Sequence, residues 1–202
     1  MTVIVIDNGM GNTGSVQCSL ERVGAYVELS DDAAELLQAE RLVLPGVGSF
    51  RDGMAHLRDR GLVDVIHQAV DGGTPLLGVC LGMQLLADYG EEGGGEEGLG
   101  LIPGRVMRME PTGGERIPHI GWNEVNPRQN SSLIAGIPAG TDFYFVHSYH
   151  FVVEDPDNIL LTTPYCGQVV SAVAGGRVFG VQFHPEKSSR AGLALIENFL
   201  AD

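Results

Sequence analysis

One cysteine in this sequence stands where a nucleophile would be expected. Cys80 follows the apolar run Leu76–Val79, which predicts a short buried strand, and it precedes apolar residues with helical spacing. Gly78 and Gly82 lie two positions to either side, so the chain has room to bend sharply from strand to helix. Such a bend presents the thiol at a helix N-terminus, where free N–H groups favour the thiolate. The alternative is a buried core cysteine, which is the usual environment of a free cysteine.

A histidine and a glutamate could complete a site around this thiol. The apolar run that ends at Phe183 is followed directly by His184, Pro185 and Glu186. Active sites of parallel α/β sheets lie at the carboxyl ends of the strands, and a thiolate nucleophile needs a base and a group that orients the base. We therefore predict a triad of Cys80, His184 and Glu186, although His-Pro-Glu alone is also typical of a surface turn.

A glycine-containing segment after another predicted strand could stabilise negative charge. Gly46, Val47 and Gly48 follow residues 41–44, and flexible glycines allow a peptide to rotate so that its N–H meets a developing oxyanion. The N–H of Leu81, next to the cysteine, is predicted to point to the same place. A plain strand-to-helix loop is the alternative for this segment.

The pattern of elements predicts one α/β domain over residues 1–202. In the first half, strands over residues 1–7, 25–29, 41–44 and 76–79 alternate with helical patterns. In the second half, strands follow one another over residues 104–109, 143–146, 150–153, 159–163, 168–174 and 178–183. We expect a three-layer domain with a mostly parallel sheet between helices, continued by an antiparallel or mixed portion. Residues 90–98 and 117–123 are predicted to be loops, and Ser188 to cap the final helix.

Composition restricts the kinds of function that remain. A net charge of −14 without a basic patch argues against nucleic acid binding. No apolar run reaches the length of about 20 residues that a membrane helix needs, and the N-terminus does not resemble a signal peptide, so we expect a cytoplasmic protein. The three cysteines have no C-x-x-C spacing, which argues against a disulfide framework, and we expect neither a metal nor a cofactor.

The basic residues are unusual in kind. Eleven of the twelve are arginine, and Lys187 is the only lysine. Excess carboxylate with almost no lysine leads to the hypothesis of a protein that works in concentrated salt, where its self-repulsion is screened. Loss of thermal stability on removing salt would support that hypothesis.

Several segments together resemble a known enzyme family. Gly78 to Gln84, with His184-Pro185-Glu186 about a hundred residues later, resembles the class I (triad) glutamine amidotransferases. The resemblance covers the whole chain, and it narrows to the glutaminase subunits of imidazole glycerol phosphate synthase, in histidine biosynthesis. The segments that narrow it are Met10-Gly11-Asn12, Pro45-Gly46-Val47-Gly48, residues 119–123, residues 144–149 and residues 184–188.

The resemblance implies a role for each residue of the predicted site. Cys80 would attack the side-chain amide of glutamine to form a glutamyl thioester, His184 would protonate the departing ammonia and then activate water, and Glu186 would orient His184. The N–H groups of Val47 and Leu81 would form the oxyanion hole, with Gly46 and Gly48 allowing the segment to rearrange. The residues implied to hold or border glutamine are Gln84, Glu92, Tyr144, His147 and Ser148.

The resemblance also implies a partner. Ammonia would pass to a separate cyclase subunit with a (β/α)8 barrel fold, which uses it to make imidazole glycerol phosphate and an aminoimidazole carboxamide ribotide. Asn12, Trp122 and Lys187 would face that barrel, and the chain alone would be nearly inactive. Departures from the family pattern at Asn8 and at Thr13-Gly14 affect details of this interface.

Two alternative functions remain at this stage. The chain could be the glutaminase subunit of another synthase, such as pyridoxal phosphate or anthranilate synthase, although the Gly-Trp-Asn and Met-Gly-Asn segments disfavour this. It could also be a non-enzymatic module in which Cys80 senses an oxidant. Cysteine-dependent release of ammonia from glutamine distinguishes the enzymes from the sensor.

Overall fold

The computed structural model describes residues 2–202, and in this range the chain forms thirteen strands and six α-helices. The strands are β1 Thr2–Ile6, β2 Tyr26–Ser30, β3 Arg41–Leu44, β4 Leu76–Val79, β5 Tyr89–Gly90, β6 Glu96–Glu97, β7 Gly104–Arg108, β8 His119–Pro127, β9 Thr141–His147, β10 Tyr149–Val153, β11 Ile159–Thr163, β12 Val169–Gly175 and β13 Val178–Val181. The helices are α1 Thr13–Arg22, α2 Ala33–Gln38, α3 Phe50–Asp59, α4 Leu62–Asp71, α5 Leu81–Leu85 and α6 Ser189–Ala201. The strand predicted over residues 1–7 begins at a residue, Met1, that lies outside the described range.

The sheet has a parallel part and a mixed part. Neighbouring strands run parallel in the order β2–β1–β3–β4–β13. The sheet continues through β12 and β10, which pair antiparallel, to β7, β5 and β6. Strands β8 and β9 form an antiparallel ribbon that joins the sheet through β11. The predicted fold class is therefore confirmed.

Helices cover both faces of the parallel strands. In β1, Val3 and Val5 belong to one buried cluster, and Ile4 and Ile6 belong to another, because successive side chains of a strand point to opposite faces. Helices α2, α3 and α4 complete the cluster around Ile4 and Ile6, and α1 and α6 complete the other. Each of these buried aliphatic side chains stabilises the fold by roughly 1.5–3 kcal/mol, and the sheet is the middle of three layers.

Two segments predicted to be loops contain strands. Residues 119–123 belong to β8, where His119 pairs with His147 and Asn123 with Phe143 of β9. The loop prediction was wrong because the large apolar residues of this strand, Ile120 and Trp122, are exposed, whereas the polar His119 is buried. Within residues 90–98, Gly90 and β6 belong to a short hairpin of β5 and β6, and residues 91–95 form the predicted loop between them.

In the part of the chain that the structure describes, no helix combines the length and the hydropathy needed to cross a membrane.

Candidate active site

The site is built around a strained turn at Cys80. Its backbone has φ 55° and ψ −108°, in a region that a residue with a Cβ rarely adopts. Such a conformation costs about 1–3 kcal/mol and persists only where surrounding contacts hold it. Here the Cys80 N–H donates to the Val181 carbonyl at 2.8 Å, and the Cys80 carbonyl accepts from Gln84 at 3.3 Å. The turn thus connects β4 to α5 and ties both to β13.

The two glycines that flank Cys80 are required by close packing. A Cβ at Gly82 would lie 1.8 Å from the Leu44 carbonyl oxygen, and a Cβ at Gly78 would lie 2.6 Å from the Gly82 carbonyl oxygen. Neither position can hold a side chain unless the backbone moves. The expectation that glycines make room for the turn is confirmed.

The three residues of the predicted triad lie together. His184 Nδ1 and Glu186 Oε1 are 2.8 Å apart, and the two side chains are only 3% and 1% exposed. With Nδ1 engaged by the carboxylate, Nε2 is the ring nitrogen left for Cys80, which lines the same cavity as His184. The arrangement has the order nucleophile, imidazole and carboxylate that acyl transfer by a thiol requires.

The charges of His184 and Glu186 depend on the contacts among the triad residues and Asn12. Burial lowers the pKa of His184, but hydrogen bonds with Cys80 and Glu186, and the charges of those groups, raise it to about 9. Burial would raise the pKa of Glu186, yet the hydrogen bond and charge of His184, with a further hydrogen bond from Asn12, hold it below its usual value. The pair is therefore an imidazolium and a carboxylate at neutral pH.

Ser188 fixes the backbone on which His184 stands. Its hydroxyl donates to the His184 carbonyl and accepts from the Tyr144 N–H at 3.0 Å, while the His184 N–H donates to the Tyr144 carbonyl at 2.8 Å. Ser188 occupies the residue before α6, but its side chain forms no capping hydrogen bond, so the predicted cap was wrong. The hydroxyl instead ties β9 to the triad, a link that the sequence did not reveal.

A cavity of about 370 Å³ opens beside Cys80. Most of the predicted site residues line it: Val47, Gly48, Cys80, Leu81, Gln84, Glu92, His147, Ser148, His184 and Lys187. Gly46 lies behind the wall, where a Cβ would come within 3.2 Å of Leu81. Tyr144 borders the cavity rather than lining it, because its ring packs against Trp122 at a centroid distance of 6.0 Å.

The predicted oxyanion segment follows β3 directly into this cavity. Gly48 has φ +125°, and a Cβ there would lie 2.7 Å from Met10 Cε, so glycine is needed for both reasons. Leu81 is the first residue of α5, where an N–H has no carbonyl one turn earlier in the helix. Both segments therefore supply main-chain groups at the cavity wall, and their role with an oxyanion stays a prediction.

Two polar side chains of the cavity wall, Gln84 and Glu92, form hydrogen bonds within the protein. Gln84 Nε2 donates to the Tyr149 carbonyl at 3.1 Å and to Gln182 Oε1 at 2.9 Å, which leaves its own carbonyl oxygen to meet a ligand. Glu92 Oε2 accepts from the Phe50 N–H at 2.9 Å, and burial raises the pKa of this carboxyl group. Two oxygen acceptors are suited to a ligand that carries an ammonium group.

His147, which lines the cavity, belongs to a chain of neutral histidines. His147 Nδ1 donates to the Tyr149 carbonyl at 2.8 Å, so its Nε2 is an acceptor for His119 Nδ1 at 3.0 Å. Asn123 Nδ2 in turn faces His119 Nε2 at 3.3 Å. Burial is the main cause that lowers the pKa of His147 to about 3 and that of His119 to about 4. His119 is a site residue that sequence reasoning did not single out.

The outer face of the β8–β9 ribbon is apolar beside the mouth of the cavity. Ile120 and Trp122 are 61% and 51% exposed, and they pair across the ribbon with Val146 and Tyr144. Lys187 Nζ lies 6.0 Å from the centre of the Tyr144 ring. We call Ile120, Trp122, Tyr144, Val146 and Lys187 the ribbon face.

Asn12, predicted to face a partner together with Trp122 and Lys187, makes a contact inside the molecule. Its Nδ2 donates to Glu186 Oε1 at 3.0 Å, and its backbone has φ 65° at the start of α1. The loop after β1 is thereby connected to the triad carboxylate.

Comparison with protein families and relatives places this geometry in context. The family described as "Glutamine amidotransferase class-I" matches residues 4–202. The chain is 49% identical to the imidazole glycerol phosphate synthase subunit HisH of Moorella thermoacetica, with 98% of this chain and 93% of that protein covered. It is 48% identical to the subunit of the same name from Salinibacter ruber, with 98% and 93% covered.

Solved structures share the fold at lower identity. The structure described as PurLQS from Thermotoga maritima superposes with a TM-score of 0.78 at 20% identity, and 99% of this chain and 97% of that chain are covered.

Proposed function

The chain belongs to the class-I glutamine amidotransferases, among the glutaminase subunits of imidazole glycerol phosphate synthase, and we propose that it hydrolyses glutamine and passes the ammonia to a cyclase subunit. The observation that carries this proposal is that Cys80 and His184 line one cavity, with Glu186 hydrogen-bonded to His184. We also propose that residues 1–202 act as one domain, which is supported by a family match over residues 4–202.

The first half of the reaction releases ammonia. The Cys80 thiolate attacks the side-chain carbonyl carbon of glutamine, a carbon–sulfur bond forms, and the carbonyl oxygen becomes an oxyanion next to the N–H groups of Val47 and Leu81. His184, which is an imidazolium because its pKa is raised to about 9, donates its Nε2 proton to the amide nitrogen. The carbon–nitrogen bond breaks, and ammonia, a glutamyl thioester and neutral His184 remain.

The second half regenerates the thiolate. Neutral His184 removes a proton from water, the resulting hydroxide attacks the thioester carbonyl, and the carbon–sulfur bond breaks to give glutamate. His184 is then an imidazolium again, paired with Glu186. The buried carboxylate of Glu186 favours the imidazolium form of His184 before and after the reaction. It also keeps Nδ1 as the donor, so that Nε2 faces the sulfur.

Substrate recognition is proposed for the part of the cavity wall that carries Gln84 and Glu92. The Gln84 carbonyl oxygen and the Glu92 carboxylate would accept hydrogen bonds from the α-ammonium group of glutamine, while His147 and Ser148 line the space for its main-chain end. Tyr144 would contribute through the backbone that holds His184 rather than through its ring. A neutral His147 suits this position, since it adds no positive charge next to the ammonium group.

The partner is proposed to cover the mouth of the cavity. The ribbon face exposes a large aromatic and an aliphatic side chain next to the only lysine, which is the composition of a protein-binding surface. We propose that it binds a (β/α)8 barrel cyclase of histidine biosynthesis. Asn12 would take part through its bond to Glu186, and without the cyclase the chain would turn over slowly.

The test is a coupled assay with the purified cyclase. Glutamine should support formation of the cyclase products in the presence of the chain, and Cys80→Ala should abolish both this activity and ammonia release. Cys18→Ala is the matched control, because Cys18 is an exposed free cysteine on α1 and its loss should change neither rate. Activity that survives in Cys80→Ala would contradict the proposal.

A further inference from the structure

Gln182 is a fully buried side chain that contacts the nucleophile and takes no part in either half of the proposed reaction. It lies directly after β13, two residues before His184, and its Nε2 is 3.8 Å from Cys80 Sγ. A hydrogen bond to sulfur is long because sulfur is a large atom, and a buried amide meets no competing water there. The side chain is therefore placed to act on the charge of the sulfur.

The orientation of its amide is determined by its neighbours. The Tyr149 carbonyl oxygen can only accept a hydrogen bond, so the Gln84 atom 3.1 Å from it must be Nε2. The same Nε2 lies 2.9 Å from Gln182, which must present its oxygen to it. The remaining end of the Gln182 amide, its N–H group, then faces Cys80.

We propose that Gln182 is a positioning residue that donates its amide N–H to the Cys80 thiolate and thereby favours the ionised, reactive form of the nucleophile. This inference rests on the proposed function and adds a residue to it. In the proposed reaction the sulfur is charged when it attacks and uncharged in the thioester. The N–H therefore stabilises the thiolate before attack and again when it departs from the thioester.

Other polar groups around the sulfur define what Gln182 adds. The Val146 carbonyl, 3.8 Å from Sγ, can only accept, so it favours the protonated thiol, and Gln182 opposes this preference with a donor. His184 lines the cavity beside the sulfur as a cation, and Glu92, His147, Tyr149 and Lys187 are the other ionisable groups on the same lining. Among these contacts, Gln182 is an uncharged donor that stays a donor at every pH.

The decisive measurement is the pH dependence of Cys80 alkylation by iodoacetamide, followed on the Cys80 peptide by mass spectrometry because the exposed Cys18 would react as well. Gln182→Met keeps the length of the side chain and removes the donor. We expect the midpoint of the profile to rise by about one pH unit, so that alkylation below the midpoint slows about tenfold. With the cyclase present, glutamine hydrolysis at low pH should slow in the same proportion.

Ser171→Ala is the matched control. The Ser171 carbonyl accepts from the Gln182 backbone N–H at 2.9 Å, and the buried Ser171 hydroxyl makes no hydrogen bond within residues 2–202. This variant disturbs packing next to Gln182 without touching the sulfur, and its profile should match that of the wild type.

The outcomes are separable. Superimposed profiles for the wild type and Gln182→Met, or an equal shift in Ser171→Ala, would overturn the inference. If Gln182→Met does not fold, Gln182→Glu keeps the shape and the acceptor for Gln84 but puts an oxygen against the sulfur, and its midpoint should rise as well. Alkylation needs no glutamine, so these results stand apart from the assay with Cys80→Ala, on which the proposed function depends.

Discussion

Histidines on two walls of the same cavity are held in opposite charge states. His184, at the end of a parallel strand, has a pKa raised to about 9, whereas His147, on the β8–β9 ribbon, has a pKa lowered to about 3. Both side chains are buried, so burial alone does not decide the charge. The partner of Nδ1 differs: it is a carboxylate for His184 and a backbone carbonyl for His147.

Because of this difference, one cavity can separate proton transfer from substrate recognition. A carboxylate compensates a buried positive charge, so His184 can carry the proton that leaves with ammonia. The ribbon histidines hydrogen-bond to each other, and a second proton on either ring would set two N–H groups against each other. The strand ends thus hold mobile protons, while the ribbon holds a fixed pattern of donors and acceptors.

The change with the largest expected effect removes the carboxylate that distinguishes His184. Glu186→Gln keeps the shape of the side chain but removes its charge, so the pKa of His184 should fall towards that of the ribbon histidines. We expect kcat for glutamine hydrolysis with the cyclase to fall about 10⁴-fold, by analogy with neutralised triad carboxylates in other hydrolases. Steady-state rates measure this, and a circular dichroism melt checks that the fold is kept. A loss of less than tenfold would mean that the carboxylate does not set the state of His184.

The next largest effect concerns the side of the ribbon that faces away from the histidines. Trp122→Ala should weaken binding of the cyclase by about 2 kcal/mol or more, as expected for an exposed aromatic residue at the centre of an interface. Titration calorimetry with the cyclase measures this. Tyr26→Ala, at a comparably exposed aromatic residue on β2, is the control and should bind normally. Equal affinity of the wild type, Trp122→Ala and Tyr26→Ala for the cyclase would show that the ribbon face is not the docking surface.

A smaller effect is expected in the stability of the ribbon at acid pH. His119 is neutral in the fold and titrates near pH 4, but in the unfolded chain it binds a proton below about pH 6.5, so stability falls as the pH falls through this window. Between pH 7 and pH 5, one such histidine costs about 2 kcal/mol. His119→Phe should stack between Tyr165 and Phe145 as the imidazole does.

Urea unfolding of both proteins at pH 7 and pH 5 tests this. The His119→Phe protein should lose about 2 kcal/mol less of its free energy of unfolding than the wild type over that interval. Titrating groups that do not contact His119 are common to both proteins and cancel in the difference, and His147, which loses the His119 N–H, is the group that does not cancel. Parallel losses would mean that His119 is not held neutral by the fold.

The strand ends were predictable from the sequence, as was β9 of the ribbon, but β8 was not. Buried parallel strands are continuous apolar runs, and the residues that follow them, Cys80 and His184, must meet at one edge of the sheet. The family prediction from these segments is confirmed by the family match and by relatives of almost equal length. In the ribbon, Ile120 and Trp122 face outward, so the apolar pattern that normally marks the buried side of a strand is reversed.

Contacts between polar groups that are distant in the sequence could not be predicted from it either. Gln182 lies in a run whose apolar neighbours indicate only a strand, and its contact with Cys80 spans 102 positions. Ser188 has the residue type and position of a helix cap, yet its hydroxyl bonds to the His184 backbone. Both side chains acquire their role from the pairing of strands, which local residue patterns do not encode.

The smallest expected effect tests whether the loop after β1 supports the charge of the triad. Asn12→Ala removes the hydrogen bond to Glu186 Oε1, so the pKa of this carboxyl group should rise, and the imidazolium should lose about 1 kcal/mol of support. We expect glutamine hydrolysis with the cyclase to slow about fivefold, and the acid limb of its pH profile to move upward. Thr13→Ala, at the neighbouring residue, is the control. A normal pH profile in Asn12→Ala would mean that His184 alone holds the Glu186 carboxylate in its charged form. The loop after β1 would then contribute to binding the cyclase and not to the ionisation of Glu186.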